Sequence, residues 1–184
     1  TGIIHEFNER EYTVFELMVI MLIQSDNTAA NKIIDILGME QINEDIVAMG
    51  LENTKLNRKT NDERTTITNI ENITTARDLS KIWKHLSDGT FLSADNGQML
   101  IDILRRQQIK NKLALYIPDD LKVEISSKTG DKKGIENDTA YLEIPKGKFV
   151  FTVLSQDIPN SVYGTVTLAK CGKMMWDGVM NNWN

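Results

Sequence analysis

Apolar positions recur at three- and four-residue intervals over the first part of the chain and alternate over the last part. The pattern predicts helices followed by strands. Thr13-Val-Phe-Glu16 sets a hydroxyl at a helix start and a carboxylate three residues on, a capping box ahead of the apolar segment Leu17 to Ile23. That segment is apolar nearly all round, which predicts a helix central to a core. Asn27 or Thr28 can cap a second helix, with Ile33, Ile34 and Leu37 on one face and Gly38 as its stop. A third is expected from about Glu40 to Met49, ending at Gly50. Leu51 to Ile73 has no clean period and is rich in Asn and Thr, so it is expected to be mostly loop. Helix resumes near Thr75 and continues to Leu86, before Asp88-Gly89. Ser93 then caps another, with Met99, Leu100, Ile103 and Leu104 spaced for burial.

After Ile117-Pro118-Asp119-Asp120 the period drops to two. Leu121, Val123 and Ile125 are expected on a buried face, and Lys122, Glu124 and Ser126 on a polar one. Asp131-Lys-Lys-Gly134 is turn chemistry, Ala140, Leu142 and Ile144 mark a second strand, and Pro145-Lys-Gly147 a second turn. The third strand, Phe149 to Leu154, is apolar on both faces and so is expected to be covered on both sides. Short turns between successive strands predict an antiparallel meander. Ser161 to Trp183 reads as one long helix, with Val162, Val166, Ala169, Val179 and Trp183 suited to pack on the sheet. The expected fold is α+β: a helical lobe over residues 1–115, then residues 116–184 as an antiparallel sheet packed by a C-terminal helix, part of an incomplete α/β lobe.

Composition narrows the function. With 41% hydrophobic and 26% charged residues, the 184-residue chain has the balance of a globular protein, one domain or two small lobes sharing a core. The net charge is -5 with no basic face, which excludes nucleic acid as a partner. The run from Val14 to Ile23 is interrupted by Glu16 and falls short of the roughly 20 residues of a membrane span. Cys171 is alone, so no internal disulfide forms, and it reads as a small core residue. His5 and His85 lack further ligands at metal spacing, so no metal and no cofactor is expected. Trp83, Trp176 and Trp183, with Met18, Met21, Met99, Met174 and Met175, read as packing residues. The chain starts at Thr1 without a signal peptide, which reads as a processed or truncated product.

Two triplets carry candidate chemistry. Ser25-Asp26-Asn27 joins two helices and, by itself, reads as an ordinary inter-helix cap. Lys128-Thr129-Gly130 closes the first strand and, by itself, reads as a solvated lysine beside a turn glycine. Together, at a helix junction and a strand end about a hundred residues apart, they match the second and third motifs of class A β-lactamases and penicillin-binding proteins. Ser25-Asp-Asn-Thr-Ala-Ala-Asn31 and Leu37-Gly-Met-Glu-Gln-Ile42 also resemble that family. So do Lys128-Thr-Gly-Asp-Lys-Lys-Gly134 and Asn137-Asp138-Thr-Ala140. The resemblance covers essentially the whole chain, from the helix before Ser25 to the C-terminal helix.

The resemblance implies a β-lactamase/transpeptidase-like fold and a serine acyl-enzyme that opens a β-lactam or a D-Ala-D-Ala-like amide. It implies that Ser25 relays a proton to the leaving nitrogen and that Asn27 bonds the acylamino arm. Lys128 and Thr129 would meet the substrate carboxylate, and Gly130 would let substrate lie against the strand edge. Asp26 holds the junction. The partner is then a small-molecule β-lactam or a peptidoglycan-like peptide, and the location secreted or at the cell envelope.

Two departures matter. No S-x-x-K occurs; the nearest relatives are Thr167-Leu-Ala-Lys170 and Ser127-Lys128. The family places that motif upstream of S-D-N, so the nucleophile segment is expected to be truncated or on a separate piece. Class A β-lactamases also carry a deacylating Glu in an R-x-E-x-x-L-N loop. Here Arg58-Lys59-Thr60 puts Thr60 in its place, while Glu63 and Glu71 read as surface carboxylates. Glu71-Asn-Ile-Thr-Thr-Ala-Arg-Asp78 resembles a branch of class A-like serine hydrolases outside the established β-lactamases. A non-hydrolysing penicillin-binding or sensor module, or an inactive β-lactamase-like fragment, is the alternative reading.

Overall fold

Thr13 turns the chain into its first helix through the expected capping box. Its Oγ1 accepts from Glu16 N at 3.2 Å and its own N–H donates to Glu16 Oε2 at 2.7 Å. The computed structural model describes residues 2–60, 70–118 and 123–182. Six helices lie among them: α1 (Val14–Gln24), α2 (Asn27–Leu37), α3 (Met39–Ala48), α4 (Ala76–Asp88), α5 (Ala94–Arg105) and α6 (Ser161–Asn182). Strands β1 (Glu124–Lys132), β2 (Ile135–Ile144) and β3 (Gly147–Val153) form an antiparallel sheet in that order. Ser93 caps α5 as read from the sequence, and Thr75, near which the sequence resumes helix, caps α4.

The cap of α2 is Asp26, not Asn27 or Thr28: a carboxylate answers the positive end of the helix better than an amide or hydroxyl. Gly38, at φ 82°, both ends α2 and starts α3, so α3 begins directly after it and finishes at Ala48. The sheet is covered on both faces. Ala140, Leu142 and Phe151 pack with Leu113, Ile117 and Trp176 of α6 on one side. Tyr141 and Val150 pack with Trp83, Ile101 and Leu104 of α4 and α5 on the other. Trp83 stacks on Tyr141 with ring centroids 5.8 Å apart, and its Nε1 donates to Thr139 Oγ1 at 2.8 Å.

Several expectations fail for identifiable reasons. α1 is not central: only Leu17 is buried, and Val14 and Phe15 are 57% and 52% exposed. α2 and α5 pack on this helix, and Phe15 only lines a shallow concavity against α5. Ser126 lies on no polar face; β1 leans on α5, and the buried hydroxyl donates to Ile101 O at 2.9 Å. K-T-G sits within β1 rather than at its end, paired with Thr139, Asp138 and Asn137, because the ladder runs on to Lys132. α6 packs on the sheet with only part of the predicted face: Ala169 is buried and Val179 packs against the core, but the first two positions do not. Val162 and Val166 are exposed, and Gly164, Leu168, Ala169, Gly172 and Trp176 are buried. Close approach sets that phase: a Cβ at Gly172 would stand 2.1 Å from Leu113 O. Met99 and Met174 are exposed. Glu63, Leu121, Lys122 and Trp183 lie outside the described residues.

Candidate active site

α1 ends on Ser25, whose backbone is left-handed at φ 54° and ψ 40°. A non-glycine residue there is strained by about 1 kcal/mol or more and persists only where neighbours hold it. Asp26 is the holder. It is fully buried, its Oδ1 accepts from Ala29 N at 2.9 Å, and its Oδ2 accepts from Ile3 N at 2.7 Å and Ile4 N at 3.0 Å. Burial works to raise the Asp26 carboxyl, but the N–H groups of Ile4, Ala29, Ile3 and Thr28 outweigh it and keep it below its usual range. This is the junction role expected of Asp26.

Lys128 crosses from β1 to meet this turn. Its Nζ donates to Ser25 Oγ at 2.9 Å and to Thr129 O at 2.6 Å. Burial pulls the Lys128 ammonium down to about 8, with Asp138 and Asp131 pulling it up and Lys112 pulling it down. An amine so placed can pass a proton to and from the Ser25 hydroxyl near neutral pH. Thr129 is buried, and its hydroxyl has no partner among the described residues. At Gly130 a Cβ would meet only Asn137 Cβ, at an ordinary 3.8 Å, so the fold itself does not require glycine there. Asn27 opens α2 beside Ser25, and its carbonyl accepts from Thr60 Oγ1 at 3.3 Å. Ser25 and Lys128 are thus in contact, Thr129 and Gly130 follow on the same strand, and Asn27 adjoins the turn.

Thr60 interlocks with Asn31. Thr60 N donates to Asn31 Oδ1 at 2.9 Å, Asn31 Nδ2 to Thr60 O at 3.0 Å, and Thr60 Oγ1 to Asn31 Oδ1 at 2.9 Å. The hydroxyl is committed to the chain. Glu71 is a surface carboxylate, as expected, and is tied down by two cations: its Oε2 accepts from Arg58 Nη2 at 2.5 Å and Nε at 3.2 Å, and its Oε1 pairs with Lys132 of β1. Lys132 first, then Arg58, holds its carboxyl below the usual range. Asn72 Oδ1 accepts from Asn57 N at 2.8 Å and Arg58 N at 3.0 Å, holding these two stretches of chain together. The sequence assigns no role to Asn31, Lys112, Glu136 or Asp138: Asn31 and Asp138 lie within segments that resemble the family, whereas Lys112 and Glu136 carry no signal. Concavities of about 440 and 370 Å³ elsewhere take in none of the five expected site residues.

A hydroxyl and a lysine meeting between a helical layer and an edge strand of an antiparallel sheet define the β-lactamase and penicillin-binding class of fold. The model of the Beta-lactamase enzyme family matches residues 1–179, and the chain belongs to that family. Among solved structures it is similar to a β-lactamase from Sphaerobacter thermophilus, at 25% identity and TM-score 0.90, over 96% of this chain and 67% of that one. It is similar to PBP-A at 27% identity and TM-score 0.84, over 96% of this chain and 65% of that one. A mutant of PBP-A in an acyl-enzyme complex with penicillin G matches at 27% identity and TM-score 0.86, over 98% of this chain and 67% of that one. No curated protein sequence matches. The chain spans about two-thirds of the length of these structures.

Proposed function

We propose that this chain supplies the substrate-binding part of a serine acyl-transferring hydrolase that takes β-lactams or D-Ala-D-Ala-like amides. The observation that carries the reading is the 2.9 Å contact between Lys128 Nζ and Ser25 Oγ, made across 103 residues. Ser25 relays a proton to the leaving nitrogen, Lys128 and Thr129 receive the substrate carboxylate, and Asn27 bonds the acylamino arm. Gly130 leaves the strand edge open to substrate. The nucleophile belongs to an S-x-x-K segment outside these 184 residues, and a secreted or cell-envelope location goes with such a substrate.

The Thr60–Asn31 interlock favours slow release of the acyl group, hence penicillin binding over rapid hydrolysis. Position 60 carries a threonine rather than a carboxylate that could activate water, and its hydroxyl is already donated. Intact mass after incubation with penicillin G is the test. The chain alone should gain no adduct, because Ser25, although Lys128 is within reach of it, is placed to relay a proton to the leaving nitrogen rather than to attack the carbonyl. The intact protein should gain one penicillin mass and lose it slowly, and Thr60→Glu should speed that loss by tenfold or more, within the roughly 10²–10⁴ range of general-base effects. An adduct on the isolated chain would overturn the placement of the nucleophile outside it, and rapid cephalosporin hydrolysis by the intact protein would overturn slow release in favour of a β-lactamase.

A further inference from the structure

Four ionisable side chains lie together behind the K-T-G segment of β1. Lys112, Glu136 and Asp138 are each 3% exposed, and Lys128 stands beside them, facing Ser25. Lys112 and Glu136 satisfy one another. Lys112 Nζ is 2.6 Å from Glu136 Oε2 and donates to Gly130 O at 3.2 Å and Asn137 O at 3.3 Å, while Glu136 Oε1 accepts the Ser161 hydroxyl. That pair is closed and carries no net charge. What remains is Lys128 and Asp138.

Asp138 faces Thr129 directly in the β1–β2 register. Its Oδ2 accepts from Leu113 N at 3.0 Å; its Oδ1, like Thr129 Oγ1, is buried without a partner among the described residues. A buried ionised oxygen with no donor is costly, and a neutral carboxyl in the same place is much less so. The charges that face it are Lys112 from the segment before β1, Lys128 from β1 and Glu136 from its own strand, with Asp131 acting on Lys128. The residues α6 buries over this face, Gly164, Leu168, Ala169, Gly172 and Trp176, are not ionisable, and Lys148 of β3 pairs away with Glu143.

The structure assigns Asp138 as a positioning residue that takes up a proton when a substrate carboxylate docks at Lys128 and Thr129. It rests on the roles proposed above for those two residues. With Asp138 ionised, the four groups carry two positive and two negative charges, and the site has no net attraction for an anion. With Asp138 neutral, one positive charge is left, on the lysine that meets Ser25. An incoming carboxylate in a poorly solvated site favours the second state, so binding draws in a proton. Burial pushes Asp138 up to about 7, against the pull of Leu113 N–H, Lys112 and Lys128, so the two states are close in energy near neutral pH.

Calorimetry on the 184-residue chain tests this, with penicillin G as the probe in two pH 7 buffers of different ionisation enthalpy. A fraction of a proton should be taken up per penicillin bound. Affinity should fall from pH 6 to 8, approaching about tenfold per pH unit above 7 for a single linked proton. Asp138→Asn should remove the uptake and flatten the affinity between pH 6 and 7. Should that variant fail to fold, the carboxyl ¹³C resonance of Asp138 in the unsubstituted chain decides, since its midpoint should move up when penicillin saturates the site. Binding without proton uptake, uptake that survives Asp138→Asn, or a fixed Asp138 midpoint would each overturn the inference. No binding at any pH would overturn the assignment of Lys128 and Thr129 instead, and the inference with it.

Discussion

Two buried aspartates in this molecule respond to pH with opposite signs. Asp26 is held below its usual range, so its contribution to stability is present above the ordinary carboxylate value of about 3.9 and is lost as pH falls through its folded value. Asp138 is raised to about 7, so its effect is the reverse: the folded state holds a proton that the unfolded chain has released, and stability declines from about pH 4 to about 7. Asp26→Ala strands the N–H groups of Ile3, Ile4 and Ala29 and releases the strained Ser25. A loss of roughly 2–4 kcal/mol is expected by urea denaturation at pH 7. A loss under about 0.5 kcal/mol would mean the junction holds without it.

α6 shows how small residues control an element. Gly172 and Gly178 share the helix, but a Cβ at Gly172 would strike Leu113 O at 2.1 Å and one at Gly178 would meet nothing within 4 Å. Gly172→Ala should therefore push α6 off the sheet and cost about 2 kcal/mol or more, while Gly178→Ala should add up to about 1 kcal/mol from helix propensity alone. Thermal melts of the two variants give the comparison, and equal shifts would show that close approach does not set the helix phase. The spacing of Val162 and Val166 misled because both are apolar yet exposed. The glycines that let α6 approach closely leave no hydrophobic trace in a sequence.

On the scale of the whole molecule, the sheet is shared property. Neighbouring residues of β2 enter opposite cores, Ala140 and Leu142 toward Trp176 and Tyr141 toward Trp83, so neither face can melt without exposing the other. One cooperative transition is expected, with tryptophan fluorescence and far-ultraviolet circular dichroism giving coincident urea midpoints. Separate midpoints would mean that the helical layer unfolds by itself.

The element order, the caps at Thr13 and Ser93, the antiparallel meander and the pairing of S-D-N with K-T-G are legible in the residues alone. Each of these is written in local periodicity, in turn chemistry or in a short motif, signals that act within a few residues along the chain. The left-handed turn at Ser25, the burial of Ser126, the interlock of Thr60 with Asn31 and the closed pair of Lys112 and Glu136 come from the folded packing. Those depend on groups far apart in sequence meeting in a dry interior. There a polar side chain must find a partner or change its charge, and whether a partner waits is settled by packing.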